Sequence, residues 1–132
     1  MSQQVKVTRT LDLKQTAGVR NFATMAKTND YTATAADSGK LIIMNKATAV
    51  GLTLPTVAAG KGCFWWVANQ GAGALTITGG TADVMVGKNA AAADTAAFST
   101  VNEIIGGSCL ITCDGTNYFV FNMSLCTMSM AG

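Results

Sequence analysis

From Lys40 onward the chain repeats one pattern: a short apolar or β-branched run, then turn residues. Lys40–Met44 (KLIIM) follows Asp37-Ser38-Gly39. Val50–Leu54 (VGLTL) stops at Pro55, the sole proline, which cannot donate to a ladder. Cys63–Ala68 (CFWWVA) runs into Gln70-Gly71-Ala72-Gly73, Ala74–Thr78 (ALTIT) into Gly79-Gly80, and Asp83–Val86 (DVMV) into Gly87. Ser108–Cys113 (SCLITC) and Asn117–Met123 (NYFVFNM) flank Asp114-Gly115-Thr116, a strong hairpin signal. Strands recurring about every ten residues predict an all-β domain, an antiparallel β-sandwich or barrel-like body.

The rest of the chain fits this pattern less well. Val5–Leu13 alternates apolar and polar residues, with Arg9 breaking the apolar set, and predicts an edge or arm strand. Residues 14–30 have no clear period and read as a loop or extended arm. Asn89–Phe98 (NAAAADTAAF) is rich in alanine, which favours helix. It has no apolar stripe to dock, so a loop is the expectation. The division is therefore an extended N-terminal arm over 1–30 and a sandwich body over 31–132, ending in a methionine-containing tail. Met128 and Met130 in that tail either dock on a partner or fray with the terminus.

Three of the strands are apolar on both faces. Successive side chains of a strand point to opposite sides. In CFWWVAN, Phe64 and Trp66 share one face, while Cys63, Trp65 and Val67 share the other. LIIM and YFVF have the same property. Such runs usually belong to parallel sheets covered by helices, and no credible amphipathic helix is present. A facing sheet can cover one side, which leaves another subunit for the second. Aromatic side chains each bury about 1.5–3 kcal/mol of favourable free energy, and left wet they form an aggregation-prone patch. The expectation is an obligate oligomer or a component of a larger coat.

Composition points the same way. Only 12% of the 132 residues are charged, against ~25% in a typical globular domain. A surface this poor in charge suits a protein that lives against other protein. The net charge is +2, and it is unevenly placed. Lys6, Arg9, Lys14, Arg20 and Lys27 against Asp12 and Asp30 give residues 1–30 a net of +3, and the remainder a net of −1. The arm suits an acidic protein surface, or is an ordinary solvated segment. It lacks the dense basic run with interleaved aromatics that favours nucleic acid. The polar start MSQQVKVTRT does not read as a signal peptide, and no apolar run of ~18 residues predicts a membrane span. Synthesis in a cytoplasm, with the four cysteines reduced, is the expectation.

Catalytic chemistry finds little support, and the chain reads as a non-enzyme without a cofactor. There is no histidine, the commonest general base and metal ligand. Asp37 and Asp114 sit just before glycines, where a short acceptor closes a turn. The cysteines have no CxxC spacing. Cys109 and Cys113 stand about 13 Å apart along a strand, too far to share a metal, and read as small buried hydrophobes. Ala59-Gly60-Lys61-Gly62 lacks the flanking residues of a phosphate loop. Trp65-Trp66 could stack on a sugar or a base, but only one of the two can face a ligand; core plus subunit interface is the favoured reading.

One segment carries a resemblance. Tyr31–Pro55, YTATAADSGKLIIMNKATAVGLTLP, resembles a segment common in tailed-bacteriophage virion proteins. There, a Y-T-x-T-A-A-D-S-G-K start leads to a short apolar strand, an Asn and a T-L-P stop. The likeness continues through Ala59-Gly60, the aromatic strand after it, and Cys113-Asp114-Gly115-Thr116-Asn117-Tyr118. It spans residues 31–122 and omits the arm and the tail. It implies a structural protein of the virion, made in the host cytoplasm: a head decoration (cement) protein, or a fibre module binding a host-surface glycan. Such proteins are largely β and commonly trimeric. A short chain beginning at Met1 favours decoration, since fibre modules usually end longer chains. The corresponding expectations are a homotrimer joined through Phe64, Trp65, Trp66, Phe119 and Phe121, and an arm contacting the major capsid protein through Lys6, Arg9, Lys14 and Arg20.

Overall fold

The computed structural model describes residues 22–132; the alternating run Val5–Leu13 and the arm residues Lys6, Arg9, Lys14 and Arg20 lie outside them. The described chain is an all-β sandwich of two packed sheets. Its strands are β1 (Thr24–Lys27), β2 (Tyr31–Thr32), β3 (Leu41–Met44), β4 (Val50–Thr53), β5 (Phe64–Asn69), β6 (Leu75–Thr78), β7 (Met85–Gly87), β8 (Ala90–Ala93), β9 (Thr95–Phe98), β10 (Ser108–Cys113), β11 (Tyr118–Asn122) and β12 (Ser129–Ala131). The large sheet runs β1-β3-β5-β10-β11-β7-β8, and the small sheet β12-β9-β6-β4-β2.

The sheets are mixed rather than antiparallel. β1, β3 and β5 are parallel neighbours in the large sheet, and β2, β4 and β6 are parallel neighbours in the small one. Parallel strands need a long crossover, usually a helix. Here each crossover contains a strand of the opposite sheet, because the chain changes sheet at every step from β1 to β6. The facing sheet thus covers the inner face of a run such as LIIM, through Ile42 and Met44, in place of helices. β10 and β11 form the hairpin announced by Asp114-Gly115-Thr116. Its Asp114 Oδ1 accepts the N–H groups of Thr116 (2.8 Å) and Asn117 (2.7 Å).

Three expectations need correction. Residues 24–27 are not arm but the edge strand β1, paired in register with β3. The alanine-rich segment is neither helix nor loop. It forms β8 and β9, small residues that let β8 fold back on β7 through the two-residue turn Lys88-Asn89, both at positive φ (40° and 64°). The methionine tail is not frayed: β12 pairs with β9, and Met128 is fully buried in this chain's own core.

The core lies between the sheets. Ile42, Met44, Trp65, Val67, Ile111, Tyr118 and Met85 face Leu52, Leu75, Ile77, Ala96 and Phe98. Trp65 packs on Tyr118 with ring centroids 6.1 Å apart. Both rings also place their polar atoms: Trp65 Nε1–H donates to Thr34 O (3.3 Å), and Tyr118 O–H donates to Pro55 O. At the loop end, the backbone closes tightly. A Cβ on Gly73 would sit 1.7 Å from the Thr48 carbonyl oxygen, so only glycine fits there.

The Tyr31–Lys40 segment of the resemblance is explained by one carboxylate. A 3-10 turn spans Ala35–Asp37, and Asp37 is buried. Its Oδ2 accepts from Tyr31 O–H (2.6 Å), Thr34 N–H (3.0 Å) and Thr34 Oγ1–H (3.3 Å), and Lys40 Nζ lies 3.8 Å from Oδ1. Burial by itself pushes the Asp37 pKa up. The bonds from Tyr31 and Thr34, with the Lys40 charge, outweigh burial and hold it below the usual carboxylate range. Asp37→Ala is expected to cost about 1–3 kcal/mol, since Tyr31 and Thr34 lose their acceptor. The carboxylate's contribution is fully present above an unfolded-state pKa of ~3.9. It is lost as pH falls from there through the lower native value, because the unfolded state then binds more protons. Urea unfolding of wild type and variant across pH 2–7 checks this: the gap closes at the acid end.

Candidate functional site

Among the described residues, no strand or helix covers the outer face of the large sheet. The register fixes its members. Leu41, Trp66, Leu110 and Phe121 stand side by side on β3, β5, β10 and β11. A second row carries Phe64, Thr112, Phe119 and Val86, and a third carries Ile43, Ala68 and Ser108. β1 adds Thr24 and Ala26 at the edge. None of these positions is charged. Phe64 and Phe121 are 41% and 51% exposed, while Trp66, Leu110, Leu41 and Phe119 are half-buried. Phe22, just before β1, lays its ring edge-on against Trp66 with centroids 5.7 Å apart. The face therefore already accepts one aromatic side chain that approaches from outside the strands.

The other side of the sandwich shows what a solvated face of this protein looks like. The small sheet points Thr32, Thr53, Thr78 and Thr95 outward in one row, and Gly51, Thr76, Ala97 and Ser129 in the next. Small hydroxyl residues hydrate readily, and aromatics do not. The two outer faces thus differ in kind: one built for water, one built for apolar contact. The apolar surface also continues past the sheet. Met123, whose N–H donates to Ser108 O (2.9 Å), is exposed, as are Val101, Ile105 and Leu125 in the loops at the same end.

The structure separates the aromatic residues singled out from the sequence. Phe64, Trp66, Phe119 and Phe121 come together on this face. Trp65 does not: it points between the sheets with no exposed surface, so it has nothing to offer a second subunit. Period-two alternation requires this split, since two adjacent strand residues cannot share a face. Leu41 and Leu110 complete the main row, and the sequence pattern alone does not single them out. Leu110 lies between two core residues, Cys109 and Ile111, and its parity with Thr112 was the available signal.

Five of the carboxylates accept backbone N–H groups. Asp30 accepts the Gly51 N–H (2.8 Å), Asp94 the Asp83 N–H (2.7 Å), and Glu103 the Thr127 N–H (3.0 Å), alongside the turns closed by Asp37 and Asp114. Cys109 is buried beside Val67, and burial pushes its thiol up to about 12. Among the described residues, no group of three or more His, Cys, Asp or Glu side chains is placed to hold a metal ion. What this surface can do is exclude water against another apolar protein surface. No family model, curated protein or solved structure matches the chain.

Proposed function

We propose that this protein is a structural component of a phage virion, a capsid decoration (cement) protein that binds the outside of the head as a homotrimer and stabilises it. One observation carries the reading: the outer face of the large sheet is aromatic and without charge, while its counterpart on the small sheet is a threonine surface. The resemblance of residues 31–122 to virion proteins supplies the setting. Subunits associate through Phe64, Trp66, Phe119 and Phe121, together with Leu41 and Leu110. The basic residues Lys6, Arg9, Lys14 and Arg20 contact the major capsid protein. A ligand that binds only the closed shell shifts the equilibrium toward that shell by mass action.

Deleting residues 2–21 tests the arm. The deletion ends before β1, which belongs to the body. Binding to heads stripped of this protein is expected to fall at least tenfold, about 1.4 kcal/mol, with the native mass still a multiple of the subunit. Equal binding by the truncated chain removes the arm from the capsid contact. Quenching of tryptophan emission by host-surface glycans, with no binding to heads, would instead support the fibre-module reading.

A further inference from the structure

The large sheet has a bulge at one end that places two cysteines across from each other. Gly62 N–H donates to the Cys113 carbonyl (2.9 Å), and Cys113 N–H donates to the Cys63 carbonyl (3.1 Å). Two residues of one strand thus oppose one residue of its neighbour. Gly62, at φ 79°, takes the left-handed first position of such a bulge. Phe64 and Thr112, the next pair, point outward, so Cys63 and Cys113 both point inward from the same side. Residues directly opposite in a hydrogen-bonded antiparallel pair stand about 5.5 Å apart at Cα, within the range that a disulfide spans.

We propose that Cys63 and Cys113 form an intrachain disulfide when the folded protein meets a small-molecule disulfide oxidant. The inference stands apart from the virion reading. In the reduced state each thiol points to its own acceptor, Cys63 to Ala35 O (4.0 Å) and Cys113 to Val57 O (3.5 Å), so both side chains must rotate toward each other for the link to close. Access sets the order of events. Cys63 is half-buried and reachable, whereas Cys113 is 6% exposed. The Cys63 thiolate attacks one sulfur of oxidised glutathione, forming a mixed disulfide and releasing one glutathione thiolate, which takes up a proton. Cys113 Sγ, as thiolate, then attacks Cys63 Sγ and expels the second glutathione. The protein loses two protons and two electrons, and one glutathione disulfide becomes two thiols.

The link joins β5 and β10, the central strands under the apolar face, so it stiffens the sheet that carries Phe64 and Trp66. A cytoplasmic glutathione pool keeps such a pair reduced, and an oxidising exterior closes it.

The test is native full-length protein incubated with oxidised glutathione, then alkylation and mass analysis of the intact chain and its peptides. The expected product lacks two hydrogen masses and yields one cross-linked peptide pair containing Cys63 and Cys113. Cys113→Ser is expected to stop at a stable glutathione adduct on Cys63. Cys63→Ser is expected to give neither adduct nor link at Cys113. Two free thiols at Cys63 and Cys113 after prolonged oxidation, or a link that joins two chains instead, overturns the proposal. So does a Cys113→Ser variant that carries no adduct on Cys63.

Discussion

Trp65→Ala is expected to cost about 3–5 kcal/mol of stability, while a truncation at the adjacent Trp66 leaves the subunit folded. Trp65 is the largest fully buried side chain, packed on Tyr118 and tied to the Thr34 carbonyl. Its removal leaves a cavity between two sheets whose backbones are held in register and cannot collapse into it. Domains are stable by only about 5–15 kcal/mol, so the variant should unfold at a much lower urea concentration or fail to accumulate as soluble protein. Trp66, one residue away, faces outward. Chemical denaturation of the two variants, read by circular dichroism, separates them: similar midpoints for both would contradict the assignment of opposite faces.

The second large effect falls on assembly. Leu110 sits in the middle of the apolar row between Trp66 and Phe121. In an isolated subunit, Leu110→Glu places a charge on a half-buried surface position, and the change in stability should stay near 0.5 kcal/mol. In an assembly that covers the face, the same carboxylate is buried without a partner. That costs several kcal/mol at each interface, enough to weaken association at least ~100-fold. Sedimentation at a series of concentrations reads this directly. An unchanged association constant would mean that the face is not the contact.

Much of the fold was legible because its signals are local. Apolar runs of four to six residues bounded by glycine, and the Asp114-Gly115 turn, mark β3, β4, β5, β6, β10 and β11 within one or two residues. What was not legible depends on partners distant in sequence. The parallel order β1-β3-β5 is set by which strand each crossover passes through, and nothing in the run TMAK announces an edge strand beside LIIM. Alanine in β8 and β9 overrides its helix preference because pairing with β7 and β6, distant from any local signal, fixes both runs as strands. Met128 enters the core only because β12 closes the small sheet against β9.

The candidate face was half legible. The sequence showed that two sets of apolar side chains must point in opposite directions, and its aromatic residues drew notice first. It did not show which set faces the second sheet. Trp65 and Trp66 are equivalent by composition and differ only by parity, and parity acquires meaning once the facing sheet is placed. Leu110, an aliphatic residue between the core residues Cys109 and Ile111, looks like core itself, and Leu41 opens an apolar run whose faces the sequence does not separate. The register across four strands makes them part of one surface.

On the proposed reading, another copy of this chain covers the outer face of the large sheet. The native mass of the purified full-length protein at low micromolar concentration is the test. The expected result is a trimer, folded and soluble, that dissociates in the Leu110→Glu variant. A folded monomer, stable in dilute solution with Phe64, Trp66 and Phe121 exposed to water, would contradict it.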